Sequence, residues 1–97
     1  IKAAVLPLVK KEGLPKIARD IVSDFFKAGV NARYDEQHSI GKRYRRHDEA
    51  GTPYCVTIDG QTKEDGTVTI RNRDSMKQER IPSGNVIERV REKLALS

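Results

Sequence analysis

The first third of the chain leaves few folds open. Ala3 to Val9 (AAVLPLV) is a continuous apolar run with charge and glycine after it. Such a run fits a strand buried on both faces. Pro7 removes one ladder donor, so the strand is expected to end early or to have an irregular edge there. Gly13-Leu14-Pro15 then opens a helix, with Pro15 in the first turn, where a missing N–H costs nothing. Leu14, Ile17, Ala18, Ile21, Val22, Phe25 and Phe26 recur at helical spacing and form a wide apolar stripe, and Ala28-Gly29 ends it. Both phenylalanines are assigned to the face that packs on a sheet. Val30 to Tyr34 is a second short strand. Strand, helix and strand joined by short connections make the right-handed crossover of a parallel sheet.

The rest extends that unit. Asp35 to His38 is a polar loop, and Ser39 can cap a second helix. In that helix Ile40, Tyr44 and His47 form a narrow apolar side, and Lys42, Arg43, Arg45 and Arg46 spread over the remaining arc. Gly51-Thr52-Pro53 stops it. Tyr54, Val56 and Ile58 alternate with Cys55, Thr57 and Asp59, which marks a third, central strand. Gly60 to Gly66 reads as a polar loop, with Asp59-Gly60 and Asp65-Gly66 as turn signals. Thr67 to Arg73 alternates in period two, with Val68 and Ile70 on one face and Thr67, Thr69, Arg71 and Arg73 on the other. Asp74-Ser75 turns the chain, and Met76 to Ile81 is a polar strand suited to an edge. Asn85 and Glu88 have capping-box spacing before a last helix carrying Val86, Ile87, Val90 and Leu94. The expected order is strand, helix, strand, helix, strand, strand, strand, helix, within one domain of 97 residues.

Charge narrows the function. The net charge is +5 and the isoelectric point near 9.6, so a polyanion is the favoured partner, nucleic acid first. Cys55 is the single cysteine, which excludes a disulfide framework and a cysteine metal cluster; it is assigned to the core. No apolar run approaches the ~18 residues of a membrane span, and no signal-peptide pattern opens the chain. Ile1 leads directly into the apolar run, as expected of a domain excised from a longer protein. His38 and His47 are the only histidines, and neither has a nucleophile or metal-ligand partner at a recognisable spacing. Ser39-Ile40-Gly41-Lys42 lacks the spacing of a phosphate loop. Catalysis is therefore not expected within this chain.

Binding is. Guanidinium groups hold phosphate bidentately, stack on bases and hydrogen-bond base edges. Asp74 and Glu36 could accept from exocyclic amino groups such as that of cytosine. Two alternatives stay open. Arg71 and Arg73 could instead pair across strands with Glu79 or Asp74. The helical arginines could be a solvated face paired at helical spacing, Arg45 with Glu49 for example.

Tyr34-Asp35-Glu36, Ser39-Ile40-Gly41-Lys42-Arg43-Tyr44, Asp48-Glu49, Gly51-Thr52-Pro53 and Thr69-Ile70-Arg71-Asn72-Arg73-Asp74-Ser75-Met76 together resemble the C-terminal anticodon-binding domain of glycyl-tRNA synthetases, over nearly the whole chain. The resemblance implies an α/β fold of three layers, α/β/α. A mixed five-stranded sheet has its fourth strand antiparallel to the rest and carries three helices. It implies binding of the anticodon arm of glycine tRNA and reading of its second and third bases, both cytosines. It places catalysis in a separate class II domain that uses ATP, magnesium and glycine, so no cofactor is expected here. It implies a homodimeric, cytoplasmic parent. Carried over by motif, Lys42 and Arg73 are the candidates for base contacts. Arg43, Arg46 and Arg71 are candidates for phosphate contact or cleft shape, and Asp74 completes the set. The run reads Arg-Asn-Arg-Asp where the family pattern has Arg-Asp-Arg-Asp, so Asn72 carries no charge. Rival expectations are a non-catalytic module of the same type, as in a mitochondrial DNA polymerase accessory subunit, and the equivalent domain of a prolyl, threonyl or histidyl synthetase. A further rival is a protein-interaction domain that uses the Met76–Ile81 edge.

Overall fold

A computed structural model describes residues 1–37 and 39–95. Its elements are β1 (Ala3–Pro7), α1 (Leu14–Lys27), β2 (Ala32–Tyr34), α2 (Ile40–Ala50), β3 (Tyr54–Ile58), α3 (Gly60–Asp65), β4 (Thr67–Asn72), β5 (Gln78–Pro82), a 3-10 turn at Ser83–Asn85, and α4 (Val86–Ala95). The sheet order is β2-β1-β3-β4-β5. β1 pairs parallel with β2 and β3, whereas β4 is antiparallel to both of its neighbours. This is the expected α/β fold, with the fourth strand reversed against the rest.

Strand alternation divides the inner residues between two faces. Ala3, Val5, Tyr54, Val56, Ile58, Val68 and Ile70 meet Leu14, Ala18, Ile21 and Phe25 of α1 and Val86 and Val90 of α4. On the opposite face Ala4, Leu6 and Cys55 form a much smaller cluster, against which Ile40 and Tyr44 of α2 pack. β1 is apolar throughout because both its faces are covered, and it ends at Pro7, as the missing donor predicts. Leu8 and Val9, assigned to the same run, are exposed beyond it. Cys55 is buried as expected, and burial pushes its thiol up to about 12.

Four expectations change. Phe25 is fully buried but Phe26 is 59% exposed. At 100° per residue Phe26 lies well off the axis shared by Leu14, Ile21 and Phe25, so the apolar stripe is narrower than its composition suggests. Residues 60–65 form a helix, not a loop, which makes four α-helices in place of three. The two Asp-Gly pairs are its ends. The Asp59 carboxylate accepts from the Thr62 N–H, the Thr62 hydroxyl accepts from the Asp59 N–H, and Gly66 closes the helix at φ 74°. Asn85 and Glu88 make no side-chain cap; the chain enters α4 through the 3-10 turn. Finally, the buried residues of α2 are Arg43 and His47, while Ile40 and Tyr44 are only partly covered.

Candidate nucleic-acid interface

The basic helix α2 sits on the small-core side of the sheet. Ser39 accepts a hydrogen bond from the Lys42 N–H at 3.4 Å and starts the helix; Gly51, at φ 80°, ends it. Its cations fall into two groups according to which way the helix turns them.

The inward group is occupied by the fold. Arg43 is 2% exposed and donates to three main-chain carbonyls: Pro7 at 2.6 Å, Asp35 at 3.0 Å and Leu8 at 3.2 Å. It stitches the exits of β1 and β2 to the helix. Its Nε is buried without a partner among the described residues, and burial lowers the pKa of the guanidinium. Of the two roles considered for Arg43, this geometry fits cleft shape, because its Nη atoms already serve the backbone. Arg71 on β4 is similar. It is 7% exposed, grips Asp48 of α2 with bonds of 2.9 and 3.1 Å, and lies 4.8 Å from the centre of the Tyr44 ring. That fork-to-fork pair raises the pKa of Arg71 and holds the Asp48 carboxyl below its ordinary value. Neither Glu79 nor Asp74 is the partner of Arg71; the expected cross-strand pair is replaced by one with an acid supplied by the helix.

Asp35 is the hub of the inward side. Its buried carboxylate accepts from Arg46, from the backbone N–H of Gln37 at 3.0 Å and from His47 Nε2 at 2.8 Å. The other ring nitrogen of His47 meets the Thr52 hydroxyl at 3.4 Å. Burial alone would push the Asp35 carboxyl up, but the Arg46, Gln37 and His47 hydrogen bonds and the Arg46 charge outweigh it, and the net shift is downward. His47 is therefore a structural partner of Asp35. His38 lies outside the described residues.

The outward group is free. Lys42 and Arg45 are exposed and have no partner among the described residues. With Arg46 and Glu49 they line a shallow groove. Arg45 and Glu49 share it without forming an ion pair. Arg45 is absent from the motif-based set, yet helical phase places it there. Ile40, Arg43, Tyr44 and His47 cluster within one arc at 100° per residue, which leaves Lys42, Arg45 and Glu49 opposite.

Arg73 stands apart. It follows the end of β4, and its N–H donates to the Pro53 carbonyl at 2.9 Å. Its guanidinium pairs with exposed Asp74, the second of the pairing partners considered for it, at 2.9 Å. The turn beneath is held by the Asn72 amide oxygen, which accepts from the N–H groups of Asp74 and Ser75 at 2.8 and 3.0 Å. An oxygen is all this turn requires, so the missing charge at Asn72 leaves its shape intact. A Cβ on Gly51 would come within 3.3 Å of Arg73 Nη1. Arg73 thus lies at the C-terminal end of α2 and Lys42 in its first turn, about 14 Å apart along the helix axis. The structure does not bring the two base-contact candidates to one point. Between them stand Asp48 and Arg71, and the open groove of Lys42, Arg45 and Arg46.

Among the described residues no group of His, Cys, Asp and Glu could hold a metal ion, and no helix is long and apolar enough to cross a membrane. A mixed sheet bearing a cationic helix whose inner charges are locked and whose outer charges are free is a binding module. The family model for the anticodon binding domain matches residues 2–93, and the chain belongs to that family. It is 52% identical to a glycine–tRNA ligase of Methanococcus vannielii, over 97% of this chain and 16% of that protein. It is 55% identical to the glycine–tRNA ligase of Pyrococcus furiosus, over 95% of this chain and 16% of the relative. It is 47% identical to that of Rhodopirellula baltica, over 100% of this chain and 18% of the relative. The chain thus spans less than a fifth of the length of these relatives.

Proposed function

We propose that this chain binds the anticodon arm of glycine tRNA and supplies tRNA specificity to a glycine–tRNA ligase. One observation carries the reading: relatives that match 95–100% of this chain at 47–55% identity are glycine–tRNA ligases. The same likeness favours glycine tRNA over the proline, threonine or histidine tRNAs, and a synthetase over a polymerase subunit. Glycylation, with ATP and magnesium, belongs to a catalytic domain elsewhere in the parent, which we place in the cytoplasm as a homodimer.

Docking is electrostatic first. Arg45 and the exposed part of Arg46 take loop phosphates along the groove, and unpaired bases splay toward the sheet. Lys42 and Arg73 then read separate nucleotides, as their separation along α2 requires. Arg73 donates to a base edge, and Asp74 orients its guanidinium and accepts from an exocyclic amino group. Arg43 and Arg71 with Asp48 set the height and angle of α2 over the sheet, so they act on RNA through the helix.

The test is tRNA binding by the full-length parent, with each anticodon base changed in turn. Arg73→Ala is expected to cost ~1–3 kcal/mol of discrimination at one base, the range of a specific base contact. Equal weakening for native and substituted anticodons would reduce Arg73 to a nonspecific contact. Binding indifferent to the anticodon in the unmodified protein would overturn the reading.

A further inference from the structure

A pocket on the opposite side of the sheet from α2 has no part in the binding described above. Tyr54 and Ile70, both buried, face a cavity of about 170 Å³ near the end of α4. Asn72, Ser75 and Lys77 from the β4–β5 connection and Lys93 from α4 form its rim. An apolar cavity of roughly 150 Å³ accepts one benzene-sized ring, so this one has room for a single flat ring and no more. The Tyr54 ring supplies an aromatic wall.

Of the charged residues that line the cavity, two are lysines and one is a glutamate. The ammonium groups of Lys77 and Lys93 have no ion-pair partner among the described residues. Glu79, the one carboxylate lining the cavity, is neutralised by Arg89 of α4. Asn72 and Ser75 turn their oxygens to backbone N–H groups of the turn, so they offer little to compete with the lysines for an anion. An aromatic wall, space for one ring and two free cations at the entrance match a flat heterocycle that bears a negative group a few ångströms away.

We propose that this cavity is a nucleotide-binding subsite, with the base against Tyr54 and Ile70 and the 5′-phosphate between Lys77 and Lys93. The nucleotide can come from solution or from an RNA strand. The second source suits the site, because the turn that forms its rim carries Arg73 and Asp74. A strand passing that turn would place one nucleotide on the far face of the sheet. The proposal does not rest on the anticodon reading, since no residue of α2 contributes to the cavity.

The experiment is titration of the full chain, isotope-labelled for NMR, with a pyrimidine nucleoside 5′-monophosphate. Saturable shifts are expected at the Tyr54 ring, the Ile70 methyls and the Lys93 side chain. The nucleoside without its phosphate should bind about tenfold more weakly. Inorganic phosphate should leave Tyr54 and Ile70 unmoved. The double variant Lys77→Glu, Lys93→Glu, with an unchanged thermal midpoint, should lose the shifts. A single-stranded oligonucleotide that binds more tightly than the mononucleotide and extends the shifts to Arg73 and Asp74 would identify RNA as the source. Equal affinity would identify a free nucleotide. The subsite is overturned if Tyr54 and Ile70 do not respond saturably, if phosphate alone reproduces the response, or if the double variant keeps it. Lys42→Ala with Arg45→Ala separates the two readings: it should weaken RNA binding and leave the mononucleotide shifts in place.

Discussion

The two faces of the sheet are built from different physics. On one, α1 and α4 cover a broad apolar core in which Phe25, Val56, Val68, Val86 and Val90 are fully buried. On the other, α2 rests on little more than Ala4, Leu6 and Cys55 and is held by polar and charged contacts: Arg43 on three carbonyls, Arg46 and His47 on Asp35, Arg71 on Asp48. The apolar face stabilises the domain without caring where a side chain points. The ionic face fixes a direction. Bidentate and charge-assisted bonds hold α2 at one height and rotation, and that is what a row of outward cations needs if it is to meet phosphates at fixed spacing.

The comparison is broken most severely by Phe25→Ala. Loss of this fully buried ring should cost ~3–5 kcal/mol, measured as a fall in the urea midpoint at unchanged slope. RNA affinity of the fraction still folded should not change. Asp35→Asn tests the other face. It removes the negative charge and one of the two acceptor oxygens that serve Arg46, His47 and Gln37, and should cost ~2–4 kcal/mol. It should also weaken RNA binding, because α2 loses its orientation.

Acid reveals the same contrast. The folded pKa values of Asp35 and Asp48 are depressed. Their contribution is therefore complete above the unfolded value of about 4 and lost as pH falls through the folded values. The stability of the unmodified protein should fall below pH ~4, and that of Asp35→Asn should fall less steeply. At the alkaline end the Cys55 thiol is raised to about 12, so its contribution is complete below its unfolded pKa and lost as pH rises toward that value. Between pH 9 and 10 this should remove about 1 kcal/mol, and Cys55→Ala should flatten that arm of the curve. The smallest effect on stability sharpens the distinction most. Arg45→Ala should leave folding within about 0.5 kcal/mol and lower the salt dependence of RNA binding by roughly one charge.

The apolar face was largely legible from the sequence, because apolar spacing is a local signal. Ala3 to Val9 announced a doubly covered strand, and Leu14 to Phe25 a helix on a sheet. Phe26 is apolar yet lies about 100° round the helix from Phe25, so composition places it in the core and helical angle does not. The ionic face was legible only in part. Nothing near Arg43 in sequence reveals the carbonyls of Pro7 and Leu8, more than thirty residues away, so it read as one more surface cation. The Asp48–Arg71 pair likewise joins a helix to a strand that folds onto it from 23 residues further on. Phase did carry usable information: it separates Arg43 from Lys42 and Arg45, and would have exchanged Arg43 for Arg45 among the exposed cations. At residues 60–65 the Asp-Gly pairs signal a turn and a helix cap equally, and only the Thr62 hydroxyl distinguishes the two uses.

The turn under Arg73 fails on a different schedule from the helix beside it. It is closed by an amide oxygen, which no accessible pH protonates. The carboxylates that orient α2 can be discharged. On acidification the basic helix should therefore come loose while the Asn72 turn keeps its shape, and the domain should pass through a stage at which it can still display Arg73 but can no longer aim Lys42 and Arg45.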